Sequence, residues 1–406
     1  MSSDSTSHPE EQEPSWPVPD VKKMAERIDS FFSKDDVKCR RGRFTHHGGN
    51  HSIIEMDVGT PGSERVFIAR VDFAFCIGTD RLRRVPWKLS SEVATMRYLK
   101  ANTTIAIPEI YFYDEDLDNE VGGPWMLMEF IEGRRIEQAL SEMSMQQMRP
   151  LSESIADYWN QLLSLRFDAI GSLSYDNKGD IVVGPLSMMC PQIISVDAPP
   201  PRDKCGPFAT VPEWILAVAN SDLRYEIKPE FRKSPEEEEA VAHLVAGNLA
   251  TLKAESFLWK GARAHPLGLK PPDFRLHNVL VSPTDPTKVL AVIDWEGTRT
   301  APIWDIFKLP SFWDYDHPSV LRQEREELNR MIWFKVAQLN PEWADAMAVG
   351  GSLRNASLLA RIIDWEAENY TLEIPGSFLP NRPAPVYFQV LQLIRPLNSS
   401  QTRQRC

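Results

Sequence analysis

The sequence predicts an α+β protein of two unequal lobes: a small antiparallel sheet carrying one helix, then a larger, mostly helical lobe. Three observations predict it. From 36 to 131, β-branched and alternating apolar runs are separated by short turn-rich segments. One helical pattern interrupts them at 90–101. Beyond about 132 the apolar period lengthens to that of helices, and the large lobe runs to about 385.

Residues 1–15 are polar and acidic and read as a disordered tail. Without a basic start or an apolar core they do not form a signal peptide, and they are too acidic for a mitochondrial transit peptide. An N-terminal helix is expected within 16–35, where Val21, Met24, Ile28 and Phe31 or Phe32 recur at helical spacing. The small lobe follows over 36–131. Its runs RFTHHGGNHSIIEMDVG and RVFIARVDF flank Thr60-Pro61-Gly62-Ser63-Glu64, whose turn chemistry makes a hairpin. SSEVATMRYLKA supplies the helix at 90–101. IPEIYFYDED and PWMLMEFIEG supply two more strands, with a turn at 119–123.

In the large lobe, over 132–385, the segment 145–165 places Leu151, Ile155, Tyr158, Trp159 and Leu162 on one stripe. Residues 234–258 open with Ser234 as an N-cap, Pro235 at the first helical position and acids on the positive end of the dipole. Residues 318–338 and 351–370 are also helical. NVLVSP and VLAVIDWEG form a short hairpin. Residues 185–210 are proline-rich and aperiodic, a long irregular loop of the kind that often carries function. Residues 386–406 form a C-terminal tail.

A net charge of -12 and a pI near 5.3 argue against nucleic acid or an anionic membrane as the partner, because both need a basic surface. No run approaches ~18 uninterrupted apolar residues, so no membrane span is expected. The cysteines, at 39, 76, 190, 205 and 406, are odd in number and none are paired at zinc spacing. They read as reduced thiols of a cytoplasmic protein.

The densest chemical signal is Pro272-Asp273-Phe274-Arg275-Leu276-His277-Asn278, followed by Val292-Ile293-Asp294-Trp295-Glu296. Phosphoryl transfer needs a carboxylate aimed at the incoming hydroxyl and oxygen ligands for magnesium. Asp273 and Asn278 are five apart on a loop leading into a strand. Asp294 follows 21 residues after Asp273 (294 − 273), at the end of an apolar strand. Taken singly, Asp273 also fits a turn aspartate and Asp294 a strand-end carboxylate.

On these motifs the sequence resembles the aminoglycoside phosphotransferase and choline kinase family, fungal-type members included. That family shares the two-lobed protein-kinase-like fold. Its catalytic loop begins His-Gly-Asp and continues Leu-His-x-x-Asn. Here Pro271-Pro272 replaces the first pair and Arg275 the second histidine. The resemblance implies a phosphotransferase with an alcohol acceptor, using ATP and Mg2+ on a small-molecule hydroxyl. Asp273 would be the catalytic base, and Asn278 and Asp294 the metal ligands. Arg70 would grip the phosphates, with Glu92 as its helix partner; a helix-capping role for Glu92 remains open. Ile68 shares Arg70's face and would pack on adenine. Gly48, Gly49 and Asn50 fall where the nucleotide-covering loop belongs. Met128, Glu129 and Ile131 fall at the interlobe hinge, where the backbone of Glu129 and Ile131 would meet adenine. Asp305 would be structural. His46, His47 and His51 lack a carboxylate at ligand spacing nearby, so no metal site is expected there.

The motifs run from about 45 to 310. Two alternatives stay open on sequence alone. One is a catalytically impaired scaffold that keeps the shape, and the other is adenylyl transfer with the nucleotide inverted. The irregular loop 185–210 and the helices after 310 are expected to form the acceptor pocket.

Overall fold

Helix α1 (Val21–Phe31) is capped by Asp20, whose carboxylate accepts the Lys23 amide at 3.0 Å. Met24 and Ile28 are fully buried, each contributing about 2 kcal/mol of hydrophobic burial. The apolar stripe closes on Phe32, which packs against Phe67, while Phe31 is exposed. The computed structural model describes residues 18–32, 37–47, 51–72, 76–77, 80–81, 85–187, 196–198, 200–219, 226–227, 266–306, 312–313 and 320–349. Outside the described residues lie the expected tails 1–15 and 386–406, the expected helices 234–258 and 351–370, and Gly48, Gly49 and Asn50.

The small lobe continues through β1 (Lys38–His47), β2 (His51–Thr60), β3 (Ser63–Asp72), the ribbon β4 (Cys76–Ile77) and β5 (Asp80–Arg81), helix α2 (Lys88–Asn102), β6 (Ile110–Asp114) and β7 (Trp125–Glu129). Five of these strands form one antiparallel sheet in the order β1-β2-β3-β7-β6. The expected hairpin closes with Thr60 opposite Ser63, and Gly62 takes the positive φ of 80° that the tight turn requires. The turn before β7 is organised by Asn119, whose side-chain oxygen accepts the amides of Val121, Gly122 and Gly123.

Alternation divides the sheet into two faces. Ile54, Met56, Ala69, Val71 and Leu127 pack under α1. On the other face Met126 and Met128 join the core shared with α2 and the large lobe, and Ile68 packs against it. Arg70 stands on this second face, between Ile53 and Met126 in the strand register.

The large lobe contains β8 (Arg134–Arg135), α3 (Ile136–Ala139), α4 (Met145–Ser164), β9 (Ser172–Tyr175), β10 (Ile181–Gly184), β11 (Val196–Ala198), α5 (Val211–Ala219), β12 (Glu226–Ile227), β13 (Leu267–Lys270), β14 (Val279–Val281), β15 (Val289–Val292), β16 (Arg299–Pro302), α6 (Ile303–Ile306), α7 (Arg322–Leu339) and α8 (Pro341–Val349). Leu151, Ile155, Trp159 and Leu162 are buried along α4, as their spacing predicts, and Tyr158 packs at the edge. The hairpin expected from NVLVSP and VLAVIDWEG is β14 paired with β15. The other strand pairs of the large lobe, β8 with β14, β9 with β10, β11 with β12 and β13 with β16, are not expected from the sequence. Strands of two to four residues are too short to display alternation, so tertiary packing rather than pattern defines them. Part of the expected irregular loop is therefore β11.

The lobes are tied together through α2 and its surroundings. Trp87, just before α2, donates its indole N–H to the Leu186 carbonyl at 3.1 Å and lies under the Arg202 guanidinium. Arg97 bonds the Tyr175 hydroxyl at 3.0 Å, and the Val292 amide donates to the Ala106 carbonyl at 2.8 Å. No described helix is long and apolar enough to cross a membrane.

Candidate active site

Lys270, at the end of β13, delivers the chain into the Pro271-Pro272-Asp273 loop. Its ammonium pairs with the buried Asp305 at 2.8 Å, and Arg299 lies 3.4 Å from the same oxygen. Phe274 is buried between Trp159, 5.1 Å away, and Phe312, 5.9 Å away, with Trp295 at 6.3 Å. Ion pair and aromatic stack together brace the Pro271-Pro272-Asp273 loop.

The Asp273 carboxylate is held on both oxygens. Oδ1 lies 3.0 Å from Arg275 Nε, while Oδ2 lies 2.8 Å from His277 Nε2 and accepts from Asn278 Nδ2 at 3.2 Å. The bond to His277, followed by the charges of His277 and Arg275, holds Asp273 below the usual carboxylate range; the same bond raises His277. Asn278 also donates to the Asp273 backbone carbonyl at 2.9 Å, so its amide nitrogen is committed and its amide oxygen is the atom left for a cation.

The Asn278 carbonyl accepts the Ile293 amide at 2.9 Å, which sets the Asp273–Asn278 loop beside the strand end carrying Asp294. Asp294 has φ +63°, the left-handed region in a non-glycine residue, a conformation that costs on the order of 1 kcal/mol or more and concentrates at functional sites. Its Oδ1 is buried without a hydrogen-bond partner, 3.6 Å from Arg70 Nη1. Burial raises the Asp294 carboxyl, with Arg70 pulling the other way.

Arg70 and Glu92 form a two-pronged buried pair. Nη1 meets Oε1 at 2.8 Å and Nη2 meets Oε2. Burial raises Glu92 to about 7 against the pull of Arg70, whereas Glu92, Asp294 and Glu296 offset burial at Arg70 and keep it charged. Glu92 sits one turn inside α2, which begins at Lys88 after an N-cap at Trp87, so its geometry is that of a pair and not of a cap. Ile68 and Met128 are partners in the β3–β7 register. At the end of β7 the Glu129 amide donates to the Glu109 carbonyl, and just beyond it the Ile131 carbonyl accepts from Gly133, both at 2.8 Å.

One expectation is corrected. His51 does have carboxylates beside it: its Nε2 lies 3.1 Å from Glu296 and 3.3 Å from Asp72. Ligand atoms of His51, Asp294 and Glu296 lie within 4.8 Å of one another. The acids come from β3 and from beyond β15, remote in sequence. Lys88 completes the group, 3.3 Å from Asp72 and 2.5 Å from Glu296. Burial and the nearby Arg70 push His51 down to about 3, leaving it neutral, while Lys88 and His51 overcome burial to hold Glu296 well below the carboxylate range. Sequence reasoning missed Asp72, Lys88 and Glu296. Periodicity offered a signal for two of them: Asp72 lies two residues from Arg70 on β3 and Lys88 four from Glu92 on α2, each on the same face; Glu296, in the turn after β15, had none.

A family model described as the phosphotransferase enzyme family matches residues 78–339. Among relatives, a subtelomeric hrmA-associated cluster protein of Aspergillus fumigatus is 25% identical over 310 residues, 63% of this chain and 59% of the relative. The chain thus spans about 59% of that relative's length. Altered inheritance of mitochondria protein 9, mitochondrial, of Candida albicans is 30% identical over 149 residues, 35% of this chain and 23% of the relative. Among solved structures, aminoglycoside phosphotransferase APH(4)-Ia aligns over 85% of this chain and 90% of its own at 15% identity, with a TM-score of 0.45.

Proposed function

We propose that this chain, which belongs to the phosphotransferase enzyme family, moves the γ-phosphoryl group of ATP to a hydroxyl of a small molecule with the help of magnesium. Membership and the two-lobed fold support a kinase-type phosphotransferase; activity, nucleotide, metal and acceptor are our reading of the site. One observation carries it. The Ile293–Asn278 backbone bond brings the strained Asp294 alongside the loop of Asp273 and Asn278, while Arg70 reaches the same carboxylate from the small lobe.

The residues fit magnesium. Asp294 offers a buried oxygen without a hydrogen-bond donor, and Asn278 offers its amide oxygen, both hard ligands. Among the described residues, four carboxylates (Asp72, Glu92, Asp294, Glu296) face two cations, Arg70 and Lys88, a field that suits a divalent ion. When bound, magnesium would neutralise charge on the phosphates.

In this reading the Ile131 amide and Glu129 carbonyl meet adenine, with Ile68 and Met128 on its flanks. Gly48, Gly49 and Asn50 would cover the phosphates, and Arg70, held in place by Glu92, would grip them. Asp273 accepts a hydrogen bond from the acceptor hydroxyl. As the oxygen–phosphorus bond forms and the bond to the ADP oxygen breaks, the hydroxyl proton passes to Asp273 Oδ. A carboxylate held below its usual range is a weak base, so it orients early and takes the proton late. The reading includes a cytoplasmic setting, which fractionation would test. The function is tested by incubating the protein with Mg-ATP and pooled hydroxyl compounds and resolving products by mass spectrometry. A phosphorylated acceptor is expected. ATP bound yet never consumed would mark an inactive scaffold, and an adenylylated product would mark the inverted nucleotide.

A further inference from the structure

A second ion-pair rung stands beside the Arg70–Glu92 pair, with its signs reversed. Arg70 and Asp72 are two apart on β3 and share a face. Lys88 and Glu92 are four apart on α2 and share a face. On the strand the cation precedes the anion, and on the helix the cation also comes first, so the two crossed pairings alternate in sign. Arg70 takes Glu92, and Lys88 takes Asp72 at 3.3 Å.

The second rung then reaches further. Lys88 Nζ lies 2.5 Å from Glu296, and Glu296 lies 3.1 Å from His51 Nε2. None of the four side chains is more than 10% exposed. The Asp294 turn is thereby held at three successive residues: Asp294 by Arg70, the Trp295 amide by Glu92 at 3.3 Å, and Glu296 by Lys88 and His51. His51 opens β2, so the same rung also reaches the start of that strand.

Buried ion pairs seldom stabilise a fold more than well-packed apolar groups would, so four ionisable groups here call for a role in geometry. We propose that Lys88 is a positioning residue that, through Glu296 and His51, fixes the turn presenting Asp294 against α2 and the start of β2. Presentation of the proposed metal ligand Asp294 then depends on one rigid network, whereas contacts to the nucleotide alone do not. The inference rests on the Mg-ATP reading above.

The test is calorimetric titration of ATP into the full chain, in magnesium and in EDTA, for wild type, Lys88→Met, Lys88→Arg and His51→Gln. For Lys88→Met, affinity in magnesium is expected to fall tenfold or more while affinity in EDTA stays within twofold, and Lys88→Arg should recover most of the loss. Equal losses in both buffers, or no loss in magnesium, would overturn the proposal. Should Lys88→Met fail to fold, His51→Gln decides: a selective loss in magnesium supports the network and an unchanged affinity overturns it. Wild-type binding indifferent to magnesium would overturn the Mg-ATP reading itself, and this inference with it.

Discussion

The Trp295 amide donates to the Glu92 carboxylate at 3.3 Å, joining residues 203 apart in sequence. One side chain of α2 therefore holds both the Arg70 guanidinium and the backbone beside Asp294. Removing it should leave a buried cation without its partner. Glu92→Ala is expected to destabilise the protein by about 3–5 kcal/mol in urea unfolding. Adding Arg70→Met should cost much less than the sum of the single losses, because the two act as a unit. Simple additivity would show that the pair does not carry the energy.

Asp294, the proposed metal ligand, sits in a strained backbone conformation. Both Asp294→Ala and Asp294→Gly should abolish Mg-ATP turnover. They should differ in stability, since alanine keeps the penalty of φ +63° and glycine does not. The glycine variant is expected to be the more stable of the two by about 1 kcal/mol, read as an offset in denaturant midpoint. Equal midpoints would mean that the left-handed conformation relaxes freely.

Asp273→Asn should lower turnover on the order of a hundredfold or more, while ATP affinity barely changes, because in the proposed function Asp273 would face the acceptor and not the nucleotide. Turnover and calorimetric affinity measured side by side would check it. Loss of ATP binding in a folded variant would show that the loop has been given the wrong role.

His51 sets a pH dependence. Its folded pKa, about 3, lies below the unfolded value near 6.5, so below pH 6.5 the unfolded chain takes up a proton that the native state does not. The stability at issue is present above about 6.5 and is lost as pH falls toward 3. Between pH 7 and pH 5 the wild type should lose about 2 kcal/mol through this group. His51→Gln should show a shallower decline by that amount. Parallel declines would mean that His51 is protonated in the native state.

The sequence by itself determined the longer described elements and the order of the motifs along the chain. Turn residues at 60–64 and Asn119 encode local hydrogen bonds, the stripe through Leu151, Ile155 and Leu162 encodes a buried helix face, and the Asp273-to-Asn278 spacing places both residues on one loop. These are short-range relations, decided by neighbours within a few residues. The tertiary structure decided which remote groups meet. The alternatives for Glu92 were separated only when β3 and α2 packed together. The strands β9 to β13 are too short to signal themselves. Lys88 and Glu296 become partners only because burial leaves no water to solvate either charge, and a charge shielded from water must be met by its opposite.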